Sequence, residues 1–214
     1  MKLVIFDMDG VIIDSEPLHY KVEKKIFEEY TGIFDPEFHK EFIGVPDTTM
    51  WASFKERFNV AKDIDYLLNL KLDLFIEEVD EVAMIEGVRE LLKLLYKDGY
   101  DLALATSNGR RVVDIVINKF GLDKYLKFSI SGDEVIKGKP NPEMFLKVAK
   151  ELKVDPSESL VIEDSENGVK AAKAAKMKCI GYLNINSGEH DLSMADIIID
   201  NYSELNINEI LKLF

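Results

Sequence analysis

The chain has one cysteine, Cys179, among 214 residues, so no disulfide can form within it. It lies in an apolar stretch and is expected to be a core thiol of a cytosolic protein, where thiols stay reduced. Positive charge is also scarce: 27 Lys and Arg stand against 40 Asp and Glu, a net charge of −13. Nucleic acids and anionic membranes both demand a basic face, so neither is expected as a partner. Any anionic substrate then needs a locally positive pocket, such as one built around a metal ion. Long apolar runs are missing as well. The N-terminal run Leu3–Phe6 is too short for a signal peptide and ends in Asp7, and nothing later is long enough to span a membrane. Cytoplasmic localisation is therefore expected. Of the three histidines, His39 and His190 have no partners at metal-ligand spacing, which argues against zinc. Repeats and low-complexity segments are absent. What is present is an ordinary globular composition, 47% hydrophobic and 31% charged, with length for one large domain or a core plus a smaller one.

The chain is organised around its first residues, Lys2–Gly10 (KLVIFDMDG). Leu3, Val4, Ile5 and Phe6 read as a strand buried on both faces. Asp7 and Asp9 follow, and side chains two apart on a strand share a face. Two carboxylates so placed repel unless a cation or a shared proton intervenes. A polar turn closing the strand would use the same residue types, and the first strand alone leaves both readings open. A calcium loop also opens with D-x-D, but it needs a third oxygen ligand and then a glycine. Val11 and Ile12 occupy those places, and a strand precedes the motif where a helix should stand.

Beyond Gly10, the apolar spacing predicts four short helices with short connections, a small bundle. Pro17 suits a first helical turn, with Leu18, Val22, Ile26, Phe27 and Tyr30 following before Gly32. Asp35-Pro36 starts a second helix, with Phe38 and Phe42, ending near Gly44. Thr48 or Thr49 caps a third, with Trp51, Phe54 and Phe58 on one face. Asp63 to about Val82 makes the fourth. The aromatic stripes are expected to be the bundle's core. From Met84 onward, helices alternate with strands at 101–106, 128–131, 160–162, 178–183 and 196–199. Such alternation implies an α/β fold, a doubly wound parallel sheet of Rossmann-like type. The first strand belongs to that sheet, so the predicted organisation is a core of residues 1–14 and 82–214 carrying an inserted four-helix cap, residues 15–81.

In open α/β sheets the ligand site lies beyond the carboxyl ends of the strands. The first predicted strand ends in Asp7 and Asp9. The second ends in Thr106-Ser107-Asn108-Gly109, a hydroxyl and backbone N–H groups at a helix start, which suit an anion. The strand 160–162 ends in Glu163-Asp164-Ser165. More acids at a strand end of an acidic protein require a cation, and such oxygen ligands suit Mg²⁺. Between them lies Gly138-Lys139-Pro140-Asn141-Pro142, where two prolines fix a lysine in a stiff connection. It is not a Walker loop. Each element alone has an ordinary structural explanation. Their arrival in order at predicted strand ends points to one site.

The segments FDMDG, LALATSN, GKPNPEMF and VIEDSENG together resemble the four motifs of the haloacid dehalogenase-like superfamily, in order and across the whole chain. The similarity is closest to its β-phosphoglucomutase-like group, in which a four-helix cap follows the first strand. The resemblance implies Asp7 as nucleophile and Asp9 as general acid and then base. It implies Mg²⁺ held by Asp7, Asp9 through its carbonyl, Asp164 and, directly or through water, Glu163, and phosphate bound by Thr106, Ser107, Asn108 and Lys139. Ser15 and His19 match cap or hinge positions. The dehalogenase and phosphonatase branches lack the second acid, which is here as Asp9. In the resembling mutases a lysine and an arginine flank a Gly-Val pair in the cap, whereas Ile43 and Asp47 flank Gly44-Val45 here. A Mg²⁺-dependent phosphatase acting as a monomer on a small phosphorylated metabolite, most simply a sugar phosphate, is therefore expected. A sugar phosphomutase is the runner-up, and a phosphate-sensing regulator on the same fold a more distant alternative.

Overall fold

The structure, a computed structural model, describes residues 3–42, 47–188 and 190–214. Strand β1 (Leu3–Phe6) and a short strand β2 (Ile13–Asp14) come first. Helices α1 (Glu16–Thr31), α2 (Pro36–Lys40), α3 (Asp47–Phe58) and α4 (Ile64–Glu77) follow. Then come β3 (Ala83–Met84), α5 (Val88–Lys97), β4 (Asp101–Ala105), α6 (Arg110–Phe120) and β5 (Leu126–Ile130). The chain ends with α7 (Glu143–Glu151), β6 (Ser159–Glu163), α8 (Glu166–Ala174), β7 (Lys178–Tyr182), β8 (Ile197–Ile199) and α9 (Ile207–Leu211). Two compact units result: Met1–Asp14 with Ala83–Phe214, and Ser15–Val82.

The first unit is a doubly wound α/β unit. Its six-stranded sheet has the order β5-β4-β1-β6-β7-β8, with every neighbouring pair parallel. Parallel strands lie under helices on both faces, which is why β1 and β6 are buried along their whole length. Leu3, Ile5, Ala103, Ala105, Val161 and Cys179 point to one face, where Met144, Phe145 and Val148 of α7 and Val169 and Ala172 of α8 cover them. The alternate residues Val4, Phe6, Leu102, Leu104, Leu160 and Ile162 are equally buried on the other. Where the chain leaves this unit and returns to it, β2 and β3 pair antiparallel, Asp14 opposite Ala83.

The second unit is helical. Phe27 anchors its core, with ring centroids 4.2 Å from Phe54, 5.4 Å from Phe38 and 5.9 Å from Trp51. Helix α1 ends where Gly32 takes a left-handed φ of 74°, and Asp35 and Asp63 cap α2 and α4 through side-chain oxygens. Some predicted boundaries shift. Helix α3 already begins at Asp47, an acid that favours a first turn, so Thr48 and Thr49 lie inside the helix. Helix α4 stops at Glu77, and a 3₁₀ turn takes Val79–Glu81. The acids Glu77, Glu78, Asp80 and Glu81 oppose the negative end of a helix dipole there. Helix α8 begins at Glu166, because the Ser165 hydroxyl caps it through Gly168 N–H. Ile43 and Gly44 lie outside the described residues.

Candidate active site

Register brings the motif segments together. Phe6 sits level with Leu104 of β4 on one side and Ile162 of β6 on the other, with β1 between them. The next residues therefore leave the sheet side by side: Asp7, Ala105-Thr106 and Glu163-Asp164. Asp7 N–H still donates to the Ile162 carbonyl at 3.0 Å and Thr106 N–H to Ile130 at 3.2 Å, which fixes their backbones. Asp7, Thr106, Glu163 and Asp164 are all buried.

Lys139 joins them from the connection before α7, through a cis peptide bond to Pro140. Its Nζ donates to Asp7 Oδ1 and to Glu163 Oε1, each at 2.5 Å, and to the Ala105 carbonyl at 3.3 Å. The Phe145 ring lies 5.2 Å below the ammonium. Burial acts to lower the Lys139 pKa, but Asp7 and Glu163 raise it above the ordinary value, so the charge is kept. Burial, opposed by Lys139 and aided by Glu163 and Asp9, pushes the Asp7 carboxyl up to about 8. Burial and then Glu163 and Asp7 push Asp164 well above the carboxylate range. One ammonium thus faces an excess of carboxylates.

The turn after β4 differs from expectation in its aim. Asn108 Nδ2 donates to Asp9 Oδ2, and Thr106 Oγ1 lies 3.5 Å from the same oxygen. Thr106 Oγ1 in turn accepts from Asn108 N–H at 3.1 Å. Two side chains expected to hold phosphate here converge on the second acid, while Ser107 is exposed. A clasp fixes the turn from outside: Gly132 N–H donates to the Asn108 carbonyl at 2.8 Å and Arg110 N–H to Asp133 Oδ2 at 2.7 Å.

The expected metal ligands do not form a closed cage. Among the described residues, no three Asp, Glu, His or Cys side chains are disposed to hold a metal ion by themselves. Lys139 and Ser165 explain part of this: Lys139 takes Glu163 Oε1, and Ser165 donates to Oε2 through its N–H at 3.0 Å and its hydroxyl at 2.8 Å. Glu163 thus anchors the lysine, and Asp7 and Asp164 are the other buried carboxylates of the expected ligand set. The donors are all oxygen and the surplus charge is negative. This fits Mg²⁺, which binds through one or two carboxylates and keeps several waters.

Ser15 and His19 belong to the helical unit. Ser15 is buried at the start of α1 without capping it through its side chain. His19 stacks on Phe75 at 4.7 Å, its Nδ1 buried without a partner, and burial followed by Lys71 lowers its pKa to about 3. Trp51 is fully buried in the aromatic core. The sequence reading missed the loop after β7, where Asn184 Nδ2 donates to the Gly10 carbonyl and Ser187 Oγ to Asp164 Oδ2. Its run Asn184-Ile185-Asn186-Ser187-Gly188 follows the carboxyl end of a strand, so the strand-end rule already marked it.

Residues 4–182 match the family described as haloacid dehalogenase-like hydrolase. A Thermotoga maritima protein named phosphorylated carbohydrates phosphatase is 35% identical over 184 residues, covering 84% of each chain. A Pseudomonas putida phosphoglycolate phosphatase is 30% identical over 217 residues, covering 95% of this chain and 78% of its own. In fold, the chain superposes on a β-phosphoglucomutase from Clostridium difficile with a TM-score of 0.82 at 24% identity, covering 100% of this chain and 96% of that one. With the family match running from before Asp7 to beyond Asp164, the chain belongs to the haloacid dehalogenase-like hydrolases.

Proposed function

We propose that the chain is a Mg²⁺-dependent phosphatase that hydrolyses a small phosphorylated metabolite, a sugar phosphate, through an aspartyl-phosphate on Asp7. The observation that carries this reading is the buried Lys139 ammonium held between Asp7 and Glu163, with Asp9 beside them. The names of the Thermotoga and Pseudomonas relatives support the reaction class. Residues 1–14 and 82–214 act as the catalytic core and 15–81 as a cap, in a cytoplasmic monomer.

Asp7 supplies the nucleophilic oxygen, and the ester oxygen leaves as Asp9 gives it a proton. Asp9, now ionised, takes a proton from water as that water attacks the phosphorus and frees Asp7. The Asn108 amide and the Thr106 hydroxyl hold Asp9 in place between the two steps. Lys139 and backbone N–H groups of the 106–109 turn balance charge on the phosphoryl oxygens, the main electrostatic demand of this chemistry. When bound to Asp7, Asp164 and the Asp9 carbonyl, Mg²⁺ supplies neutralisation of the phosphoryl charge.

The test is phosphate release by purified protein from a panel of sugar phosphates and other small phosphate esters, with Mg²⁺ and with EDTA. Asp7→Asn is expected to fall to background, and Asp9→Asn by about 10²–10⁴-fold. Full activity in EDTA, or in Asp7→Asn, would falsify the mechanism. A regulator lacking catalysis would show no turnover while still binding phosphate.

A further inference from the structure

The loop after β7 reaches back to three separate places. Asn184 Nδ2 donates to the Gly10 carbonyl at 3.2 Å, Asn186 Nδ2 to Asp14 Oδ2 at 2.8 Å, and Ser187 Oγ to Asp164 Oδ2 at 2.6 Å. The last bond is buried, with Ser187 6% and Asp164 8% exposed. Gly10 closes the remaining side with a φ of +69°; a Cβ there would lie 1.8 Å from Asp164 Oδ2 and 2.6 Å from Ser187 Oγ. A side chain at position 10 therefore has no room beside the hydroxyl and the carboxylate. A hydroxyl donating to an ionised carboxylate makes one of the stronger neutral-to-charged hydrogen bonds. Here it engages one oxygen and leaves the other to a different partner.

We infer that Ser187 is a positioning residue: it grips Asp164 Oδ2 so that Oδ1 is the oxygen offered to the divalent cation. This rests on the phosphatase reading above, which supplies the cation. Outer partners of metal-ligating carboxylates fix ligand orientation, and losing one typically weakens metal binding by about 10–100-fold. Ser187 lies outside all four motif segments, and its loop joins the strand end that carries Asp164 to the turn that carries Gly10. One loop thereby sets two sides of the cation position.

The experiment is Mg²⁺ titration of substrate-free protein by calorimetry, for wild type, Ser187→Ala and Ser187→Thr, with melting temperatures in EDTA as the folding control. The alanine variant is expected to melt as wild type does in EDTA but bind Mg²⁺ about 10–100-fold more weakly. The threonine variant, which keeps the hydroxyl, is expected to recover most of the affinity. In turnover, the loss in Ser187→Ala is expected in the Mg²⁺ concentration needed for half-maximal rate, with kcat at saturating Mg²⁺ largely kept. Should the alanine variant not fold, Ser187→Cys keeps the shape and offers only a weak donor, and the same loss of affinity is expected. Wild-type Mg²⁺ affinity in a folded Ser187→Ala or Ser187→Cys variant overturns the assignment. A wild-type protein that binds no Mg²⁺ removes the phosphatase reading itself, and this inference with it.

Discussion

Lys139 Nζ lies 2.5 Å from Asp7 Oδ1, across 132 residues of chain. The lysine side chain is 6% exposed and its second carboxylate partner, Glu163, 1%. Removing one member of a buried ion pair leaves the other charge uncompensated, which typically costs about 3–5 kcal/mol. Lys139→Met keeps the stem and removes the charge. In EDTA at pH 7 its unfolding free energy from urea titration is expected to fall by about 3–5 kcal/mol, with turnover lost. Mg²⁺ is expected to restore part of the stability, because it compensates the same carboxylates, and none of the turnover. An unfolding free energy unchanged in EDTA would count against the ion pair as a structural element.

The turn that holds Asp9 depends on Gly132. A Cβ there would lie 2.2 Å from the Ser107 carbonyl oxygen, a backbone atom that no side-chain rotation can move aside. Gly132→Ala therefore displaces either the 106–109 turn or the 131–134 segment. A misplacement near 1 Å costs about 10²-fold in rate, so kcat/KM is expected to fall by that factor. Melting temperature should change far less. Full turnover in the folded variant would mean that the position of the turn is not limiting.

Much of this arrangement was readable before the fold. The strand-end rule located Asp7, Thr106 and Glu163-Asp164 because register in a parallel sheet carries strand ends to one edge. What a strand end cannot reveal is the aim of each side chain. Asn108 turned to Asp9, and Glu163 to Lys139 and Ser165, because those hydrogen bonds are local outcomes of packing. The buried charges of the helical unit left a fainter trace. Lys71 stands four residues from both Leu67 and Phe75, and Glu23 four from Phe27, so each interrupts an apolar stripe at core spacing. The structure buries both, with Lys71 Nζ 2.6 Å from Glu23 Oε1. Charged residues are rarely buried unless paired, and the pairing partner is not visible along a single helix.

That network makes the helical unit acid-sensitive. Burial, then Lys71, lowers the His19 pKa from 6.5 to about 3, so the folded chain holds it neutral. Below pH 6.5 the unfolded chain binds a proton there that the folded chain refuses, and stability falls as pH drops toward the folded value. The slope contributed by one such group reaches about 1.4 kcal/mol per pH unit. Glu23 works in the same direction at lower pH. Although burial acts to raise it, His39 and Lys71 hold its pKa down from 4.5 to about 2, so its contribution is present above 4.5 and lost below. Urea unfolding between pH 7.5 and 4.5 is expected to show a shallower pH slope in His19→Gln than in wild type. Parallel curves would remove His19 as the source.

The remaining choice is between phosphatase and mutase. A mutase retains a sugar bisphosphate and must bind its second phosphate while Asp7 is phosphorylated, which calls for a cation in the helical unit. Lys71 is the buried cation of that unit, but its Nζ already contacts Glu23 Oε1 at 2.6 Å and Asp47 Oδ1 at 2.8 Å. A phosphate arriving at Lys71 has to displace or repel two carboxylates. Asp47 also stands where the resembling mutases carry a cation, and Lys40, Lys55 and Arg57 are the cations left on neighbouring turns. Of these, Lys40 already pairs with Glu37, and Arg57 lies near Asp35 and Glu41. Discharge of Asp7 to water is therefore the expected outcome. The measurement supplies β-glucose 1-phosphate, a trace of the 1,6-bisphosphate and Mg²⁺, and follows glucose 6-phosphate and free phosphate together. Phosphate release is expected to outpace isomerisation in the wild type. Asp47→Arg, which replaces a Lys71 partner with a phosphate-binding fork, is expected to shift that ratio toward isomerisation. Isomerisation dominating in the wild type would instead assign the chain to the mutases.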